Sequence, residues 1–280
     1  MKPVVAVIAA GAMGSAVAKK LTENGVDVVT SLAGRSAASA ARAKEAGMRG
    51  VSDEEVAATD FVLSIVPPGD ALALAERLAP HLARANRKAV YVDCNAVNPA
   101  TVARIAPVIE ATGAPFVDAG IVGPPPKPGN RTIFYASGVE APRFATLNDY
   151  GLDVRVLGAT LGDASALKMS YAGITKGFTA ISTAMMLAAT RNGTAEALQK
   201  ELAESQPQLT AWLTRQVPNM YAKAYRWVAE MEEIAGFVGE DEAAHAMFEG
   251  TARLYERIAA DEAGEKKETA ALTAFLAKRP

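Results

Sequence analysis

The chain has 280 residues, with 29 Lys and Arg against 31 Asp and Glu and hence a net charge of −2 at pH 7. At about 150 residues per domain, this length predicts two domains or one large one, and the lack of a basic surplus argues against nucleic acid as a partner. The single cysteine, Cys94, excludes an intramolecular disulfide, and His81 and His245 lack the spacing of a zinc site, so we expect no bound metal.

The first predicted element is an apolar run at residues 3–10 that superficially resembles a signal peptide. It has the length of one buried strand and is followed by Gly11 and Gly14, whose spacing has a meaning of its own. No stretch approaches the about 20 consecutive apolar residues that a membrane span needs. We therefore expect a cytoplasmic protein without a membrane partner.

The first half of the chain alternates short β-branched runs with alanine-rich helical stretches, which is typical of a parallel sheet with helices on its faces. We predict an α/β Rossmann domain with a doubly wound, mostly parallel sheet over residues 1–160. The predicted strands are Val4–Ala9, Val26–Leu32, Phe61–Val66, Ala89–Cys94, Pro115–Ile121, Arg131–Ser137 and Val154–Leu157. The helices predicted between the early strands are Met13–Glu23, Ala37–Ala46, Ala71–Leu82 and Ala100–Glu110.

Only helical patterns remain after Gly162, so residues 161–280 are predicted to form an all-α domain that binds substrate and makes a dimer. The expected breaks between its helices lie near Gly193, Gln206-Pro207, Pro218, the segment 236–239 and Gly264.

A glycine-rich turn follows the first strand. Gly11-Ala12-Met13-Gly14 matches the second and third glycines of the dinucleotide fingerprint GxGxxG, with Ala9 in place of the first. The second glycine lets a pyrophosphate approach the backbone, and the third lets the helix pack closely on the strand and point its N–H groups at the phosphates. The alternative is a turn that serves packing only.

The end of the second strand decides which dinucleotide is expected. An NAD site places a carboxylate there, against the ribose 2′-hydroxyl. This chain has Arg35 and Ser36 instead, and Asp27 lies at the other end of the strand. A guanidinium fork suits a 2′-phosphate, which favours NADP(H). Alternatively, Arg35 is only solvated and Ser36 only caps the next helix.

Two further strand ends are predicted to contact the cofactor. Ligands of open parallel sheets bind outside the carboxyl ends of the strands, which nominates Val66 and Pro67 after one strand and Asn95 after another. The alternative reading is an ordinary proline turn and an asparagine that caps its own loop.

The segment 165–187 has no acidic residue and is predicted to be one long helix with three faces. We expect a cavity to meet the polar face and other groups to enclose the other two, with the small-residue face meeting a helix of this chain or of a second subunit. The polar face carries Lys168, Tyr171, Thr175, Lys176, Thr179 and Ser182. The small face carries Gly173, Gly177, Ala180 and Ala184, and the bulky face carries Ile174, Phe178, Ile181 and Met185.

The lysines of the polar face are the candidates for chemistry. A lysine in a water-poor cavity beside a positively charged nicotinamide can exchange a proton near neutral pH, so Lys168 is predicted to be catalytic. Lys176 is predicted to bind a substrate anion, with support of the cavity as the alternative. An ordinary amphipathic surface helix would carry more Glu, Lys and Arg on this face.

These motifs together resemble the β-hydroxyacid dehydrogenases, relatives of 6-phosphogluconate dehydrogenase. The matching residues are the Gly11–Gly14 turn, Gly34-Arg35-Ser36, Val117-Asp118-Ala119 and Lys168. The resemblance implies an NADP- or NAD-binding Rossmann domain followed by a helical dimerisation domain, with the lysine as general acid/base for hydride transfer. Beyond about residue 190 the chain resembles a branch with a short helical domain of unassigned function.

The substrate segment departs from the family pattern Pro-Val-Ser-Gly-Gly after its Asp-Ala. This chain has Gly120-Ile121-Val122-Gly123-Pro124, which lacks the serine hydroxyl and one amide donor, and Ala172 replaces the family's asparagine. Gly123, Tyr171 and Lys176 are therefore the predicted substrate residues, and Asn95 is another substitute. The changes argue against a simple 3-hydroxy acid as substrate.

We therefore predict an NADP-dependent oxidoreductase that acts on the alcohol carbon of a small polar acid as a homodimer. One alternative is an imine reductase, although those enzymes generally lack the lysine. The other is a sensor or regulatory protein that binds NADP(H) without chemistry.

Overall fold

The computed structural model describes residues 2–277, and the chain divides into two compact units. The first unit ends at Met169 and the second begins at Ser170. The division falls within a long helix, whereas the predicted boundary at residue 160 precedes that helix.

The first unit is built on an eight-stranded sheet with the order β3-β2-β1-β4-β5-β6-β7-β8. All neighbouring strands are parallel except β6 and β7. The predicted doubly wound, mostly parallel sheet is therefore confirmed. The strands are β1 Val4–Ile8, β2 Asp27–Ser31, β3 Arg49–Val51, β4 Phe61–Ser64, β5 Val90–Asp93, β6 Phe116–Val122, β7 Ile133–Ser137 and β8 Val154–Gly158.

The helices of the first unit cover both faces of this sheet. Strand residues alternate between the two faces, so Val5 and Val7 pack into one buried core with α1, while Ala6 and Ile8 pack into the other with α4. The helices are α1 Ala12–Glu23, α2 Ala37–Glu45, α3 Asp53–Ala57, α4 Ala71–Arg84, α5 Pro99–Glu110 and α6 Ala141–Ala145.

The strand order reverses at β1, which pairs with β2 on one side and β4 on the other. In open parallel sheets, ligands bind in the crevice outside the carboxyl ends of the strands at such a reversal. The turn after β1, the loop after β4 and the end of β2 all belong to this edge.

Three short elements of the first unit were not predicted: β3, α3 and α6. The β3 segment Arg-Gly-Val is exposed or half-buried and has no apolar run to mark it. A readable signal did exist for α3, because Ser52 and Glu55 form a capping box at its start.

The second unit is all helical within the described residues. The long helix α7, Asp163–Arg191, enters it from the first unit. The remaining helices are α8 Ala195–Ser205, α9 Pro207–Tyr221, α10 Ala224–Phe237, α11 Glu242–Ala263 and α12 Lys267–Leu276. No helix in the described part of the chain is long and apolar enough to cross a membrane.

The break predicted near Pro218 lies about four residues further on, because α9 continues through this residue to Tyr221 and α10 begins at Ala224. A proline near the end of a helix removes one backbone donor, and the few residues that follow it lose little by the interruption.

The small-residue face of α7 packs within the same chain. A Cβ on Gly173 would lie 3.2 Å from the Phe248 ring of α11 and 3.4 Å from Ile234 of α10, and one on Gly177 would lie 3.4 Å from the same ring. This face therefore meets α10 and α11, and a second subunit is not needed to cover it.

The described part of this chain does not itself enclose the bulky face of α7, which was predicted to be enclosed. Ile174 is 73% exposed, Phe178 41%, Ile181 53% and Met185 56%. Phe178 makes a ring contact with Trp212 of α9, with 5.5 Å between the centroids, and still presents much of its surface to solvent.

Candidate cofactor and active site

The glycine-rich turn joins β1 to α1 at the reversal of the sheet. Gly11 is the N-cap of α1, with extended backbone and no side chain to bond the first free N–H groups, and the first turn contains no acidic residue. A helix start of this kind is electropositive and suits an anion.

The two glycines of the turn have different environments. A Cβ on Gly11 would meet nothing within 4 Å, whereas a Cβ on Gly14 would lie 1.9 Å from the carbonyl oxygen of Ala9. Gly14 therefore lets the helix pack on the end of the strand, and Gly11 leaves open space over the helix start. Both properties fit a dinucleotide pyrophosphate above Gly11, Ala12 and Met13.

The end of β2 supplies a second helix start. Gly34 turns the chain with a φ of +68°, and Ser36 caps α2 by accepting a hydrogen bond from the Ser39 backbone at 3.3 Å. Arg35 is exposed and forms no ion pair with any described residue. Its guanidinium is therefore available to an anion at this position.

Arg42 connects these two helix starts and was not predicted. Its Nε donates to the carbonyl of Ala10 at 2.9 Å, and its Nη2 donates to the hydroxyl of Ser39 at 3.0 Å. The arginine thus ties α2 to the residue next to Gly11. Sequence spacing carried no signal for this contact, because Ala10 lies in the turn after β1, far from Arg42 in the chain.

Asn95 holds the loop that follows β4. Its Oδ1 accepts from the backbone of Val66 at 2.7 Å, and its Nδ2 donates to Ser64 at 2.8 Å and to Asp93 at 2.6 Å. The residue is 3% exposed. Asn95 therefore fixes Val66 and Pro67 at the carboxyl edge of the sheet, while direct contact of all three with a cofactor stays a prediction.

Lys168 reaches the end of β6 from α7. Its Nζ donates to the carbonyl of Ile121 at 2.7 Å. The backbones approach closely here, since a Cβ on Gly120 would lie 2.8 Å from Cβ of Lys168 and 2.9 Å from the carbonyl oxygen of Ala164. The half-buried lysine is thereby held at the same edge of the sheet as the glycine-rich turn.

The predicted substrate residue Gly123 lies just beyond Ile121. It has a φ of +113°, and a Cβ would lie 2.2 Å from the carbonyl oxygen of Arg131, so glycine is required. The proline-rich segment after it is tied back by a 2.6 Å hydrogen bond from Thr132 Oγ1 to the carbonyl of Pro124. The structure therefore places Gly123 on a fixed loop near Lys168.

Tyr171 and Lys176 belong to the second unit. Tyr171 is 50% exposed. Lys176 forms an ion pair with Glu230, and its Nζ lies 4.9 Å from the centroid of the Trp227 ring. Both charged side chains are largely buried, at 13% and 16% exposure. The partners Glu230 and Trp227 come from α10, and nothing in their local sequence marked them.

The hydroxyl of Tyr255 adds to this cluster by donating to the carbonyl of Lys176 at 2.6 Å. Burial raises the pKa of the Tyr255 hydroxyl, and the charge of Glu230 adds to the effect. Recognition of a substrate anion by Lys176 stays a prediction, and it requires competition with Glu230.

Comparison with protein families supports this reading of the first unit. The model described as the NAD binding domain of 6-phosphogluconate dehydrogenase matches residues 4–149, which is more than half of the chain. The chain belongs to this family, and its first unit is an NAD(P)-binding domain. Residues 189–258 match a domain of unknown function (DUF1932).

Solved structures extend the similarity over nearly the whole chain. A conserved protein of unknown function, described as structurally similar to 3-hydroxyacid dehydrogenases, is 31% identical, with coverage of 96% of this chain and 99% of that one and a TM-score of 0.72. The resemblance inferred from the residues is thus confirmed. Family and neighbours indicate an oxidoreductase of the hydroxyacid dehydrogenase type.

More distant structures share the fold alone. The 3-hydroxyisobutyrate dehydrogenase of Mycobacterium tuberculosis, solved with L-serine, is 19% identical, with coverage of 99% and 100% and a TM-score of 0.68. An imine reductase from Myxococcus stipitatus, solved with NADP+, is 20% identical, with coverage of 98% and 100% and a TM-score of 0.55.

The two glycines of the turn should respond differently to alanine. In Gly11→Ala we expect the free energy of unfolding to stay within about 1 kcal/mol of wild type, because the Cβ enters open space. The Kd for the reduced dinucleotide should rise at least about tenfold, or about 1.4 kcal/mol. Gly14→Ala should instead lower the free energy of unfolding by about 1–3 kcal/mol or more, which is the cost of overpacking a buried site.

Urea unfolding and fluorescence titration of NADH and NADPH measure both quantities. An unchanged affinity in Gly11→Ala would show that the ligand does not approach this backbone.

Proposed function

We propose that the chain is an NADP(H)-dependent oxidoreductase that acts on the alcohol carbon of a small polar acid, with Lys168 as general acid/base. The observation that carries the proposal is the position of Lys168 Nζ on the carbonyl of Ile121, at the carboxyl edge of the sheet that also holds the Gly11 turn. A cofactor cradle and a proton donor thus belong to one edge.

The preference for the phosphorylated dinucleotide is supported by Arg35 and the start of α2. The exposed guanidinium can form two parallel hydrogen bonds to a phosphate. Ser36 and the first N–H groups of α2 lie next to it in the chain. No carboxylate stands at this strand end to accept from a ribose 2′-hydroxyl.

When bound, the nicotinamide supplies or accepts the hydride. The task of Lys168 is the accompanying proton. An ammonium has three N–H donors, and Ile121 takes one of them, which orients the others. In reduction, Nζ donates a proton to the carbonyl oxygen of the substrate. In oxidation, the neutral amine accepts the proton of the alcohol as the hydride leaves its carbon.

Imine reduction is the second candidate. It is favoured by the substrate segment, where Val122 and Pro124 offer fewer hydrogen bonds to an acid than a serine and a free amide would. Lys168 favours the alcohol reaction. A panel of oxo acids and cyclic imines, followed through the NADPH absorbance, separates the two reactions, and tight binding without turnover of either would indicate a sensor.

Lys168→Ala should lower kcat by about 10²- to 10⁴-fold, because the proton transfer loses its general acid/base. NADPH affinity should stay unchanged, since the cradle lies on other elements. Lys88→Ala is a matched control, because Lys88 also donates to a backbone carbonyl at 2.7 Å. It lies at the opposite edge of the sheet, where the parallel strands begin. Retained turnover in Lys168→Ala would remove this lysine from the mechanism.

Arg35→Ala should weaken NADPH binding by about 10- to 100-fold, the equivalent of the about 1.5–3 kcal/mol of a charged hydrogen bond. NADH binding should not change, because NADH lacks the phosphate. The exposed Arg104 of α5 provides the control substitution to alanine. Equal weakening for both dinucleotides would contradict the assignment of the 2′-phosphate.

We further propose that the working unit is a homodimer built on the exposed stripe of α7, defined as Tyr171, Ile174, Phe178, Ile181 and Met185. Their alternating spacing of three and four residues is that of a helix–helix seam, and the stripe extends about 20 Å along the helix. The stripe contains no charged residue, so a second copy related by a two-fold axis meets no like charge.

Light scattering on a sizing column tests the dimer. The double substitution of Ile174 and Ile181 by Lys should give a monomer, because two desolvated charges on each copy then face each other across the axis. Met247→Lys is the control, since Met247 is 49% exposed on α11 and outside the stripe. A monomeric wild type, or a dimer that survives both lysines, would contradict this interface.

A further inference from the structure

A buried carboxylate stands two residues before Gly120 on β6. Asp118 is 1% exposed and lies on the face of the strand opposite Val117 and Ala119, which are part of the α1-side core. Burial raises the pKa of its carboxyl, and hydrogen bonds from Ser165, Ser137 and Gly162 counteract the effect. Such a group is costly to bury without partners, so its position needs a reason.

All the partners of Asp118 hold the start of α7. Its Oδ2 accepts from the backbone N–H of Gly162 at 3.1 Å and of Ser165 at 3.0 Å, and from the hydroxyl of Ser137 at 3.1 Å. Its Oδ1 accepts from the hydroxyl of Ser165 at 2.6 Å. Ser137 in turn accepts from the backbone of Ala164 at 3.1 Å.

These bonds satisfy the backbone donors that the first turn of a helix leaves free. In an ordinary N-cap the acceptor is the side chain of the residue at the start of the helix. Here the acceptors come from two strands of the sheet. Asp118 on β6 and Ser137 on β7 are directly paired in the antiparallel ladder. The start of α7 is therefore fastened to the sheet rather than to its own preceding loop.

The hydrogen bonds between Asp118 and the start of α7 lie one helical turn from Lys168. Gly120 follows Asp118 on the same face of β6, and Lys168 follows Ser165 on α7. The strand and the helix thus meet at two successive points: the hydrogen bonds at Asp118 and the close contact at Gly120. A shift of α7 at the first point moves Lys168 away from the Ile121 carbonyl at the second.

We propose that Asp118 is a positioning residue, whose buried carboxylate fixes the first turn of α7 and thereby sets the position of Lys168 Nζ on β6. The catalytic consequence rests on the proposed function of Lys168, whereas the positional consequence does not. The two are therefore tested with separate measurements.

Asparagine and alanine at position 118 should behave differently. In Asp118→Asn the amide oxygen can take the place of Oδ2 and keep three of the acceptor contacts. The amide nitrogen then faces Ser165 Oγ, which can accept instead of donate. In Asp118→Ala the donors of Gly162 and Ser165 lose their acceptor in a buried place.

The environment of Lys168 Nζ is reported by its rate of acetylation when the folded protein is treated with dilute acetic anhydride, and mass spectrometry of the digested protein then identifies the labelled lysines. Lys88 is the internal reference, because it is also held on backbone carbonyls. We expect the ratio of the Lys168 rate to the Lys88 rate to change several-fold in Asp118→Ala and to return to the wild-type value in Asp118→Asn. An unchanged ratio in Asp118→Ala would overturn the proposal, whatever the protein catalyses.

Kinetics provide the second measurement. We expect kcat to fall by up to about 10²-fold in Asp118→Ala, the size expected for a reacting group displaced by about 1 Å, with the Kd for NADPH unchanged and kcat restored in Asp118→Asn. Asp60→Ala is the matched control, because Asp60 is also a largely buried carboxylate that accepts a backbone N–H, from Val4 at 2.8 Å. It should lose stability without a change in kcat.

If Asp118→Ala does not fold, Ser165→Ala, alone and combined with Asp118→Asn, provides a milder test. Ser165→Ala removes only the bond to Oδ1, and Asp118→Asn combined with Ser165→Ala leaves the new amide nitrogen without this partner. The double variant should show the altered labelling ratio, and each single variant should stay closer to wild type. Equal labelling ratios in the two single variants and the double variant would contradict the proposal that Asp118 fixes the start of α7.

Discussion

At Gly120, helix α7 lies so close to strand β6 that a Cβ on the strand would be 2.8 Å from Cβ of Lys168. Any larger residue would push the helix outward and break the hydrogen bond between Nζ and the Ile121 carbonyl. The position of Lys168, the proposed proton donor, therefore depends on a residue without a side chain. This contact holds Lys168 at the carboxyl edge of the sheet, which is also the edge of the Gly11 turn and of Gly123.

Successive residues of β6 point to opposite faces of the sheet and have different roles. Val117, Ala119 and Ile121 point into the core on the α1 side, while Asp118 and Gly120 receive α7 on the other side. The backbone carbonyl of Ile121 faces neither core and binds the lysine. A shift of register by one residue would exchange these roles, and this links the stability of the sheet to the geometry of the site. The start of α1 follows the same logic, because Gly14 is required by packing and Gly11 leaves space for a ligand.

The features that could be predicted from the sequence depend on local chemistry. The alternation of strands and helices and the Gly11–Gly14 turn come from periodicity and short motifs, which are visible along the chain. The helix start at Ser36 follows from the preference of serine for N-caps. Lys168 was predicted because the polar face of α7 carries only two lysines among hydroxyl groups, and because of the family resemblance.

The features that could not be predicted are contacts between distant elements. Arg42 reaches Ala10, Asn95 reaches Val66, and Glu230 pairs with Lys176, but none of these partners is encoded by spacing. The projection of α7 separated its faces correctly, and the small face meets another helix, α11, as predicted. The bulky face, predicted to be enclosed, is exposed in the described part of this chain. Helical periodicity shows which residues share a face, and only the tertiary packing decides what covers it.

The most direct test of an NADP(H)-dependent oxidoreductase is the fate of the hydride. NADPH carrying deuterium at C4 of the nicotinamide, prepared with the label on either face, is incubated with the enzyme and a panel of small oxo acids, and the products are analysed by mass spectrometry. We expect one deuterium on the alcohol carbon of the product from one of the two labelled forms. Bound NADPH that transfers no deuterium to any oxo acid would contradict it.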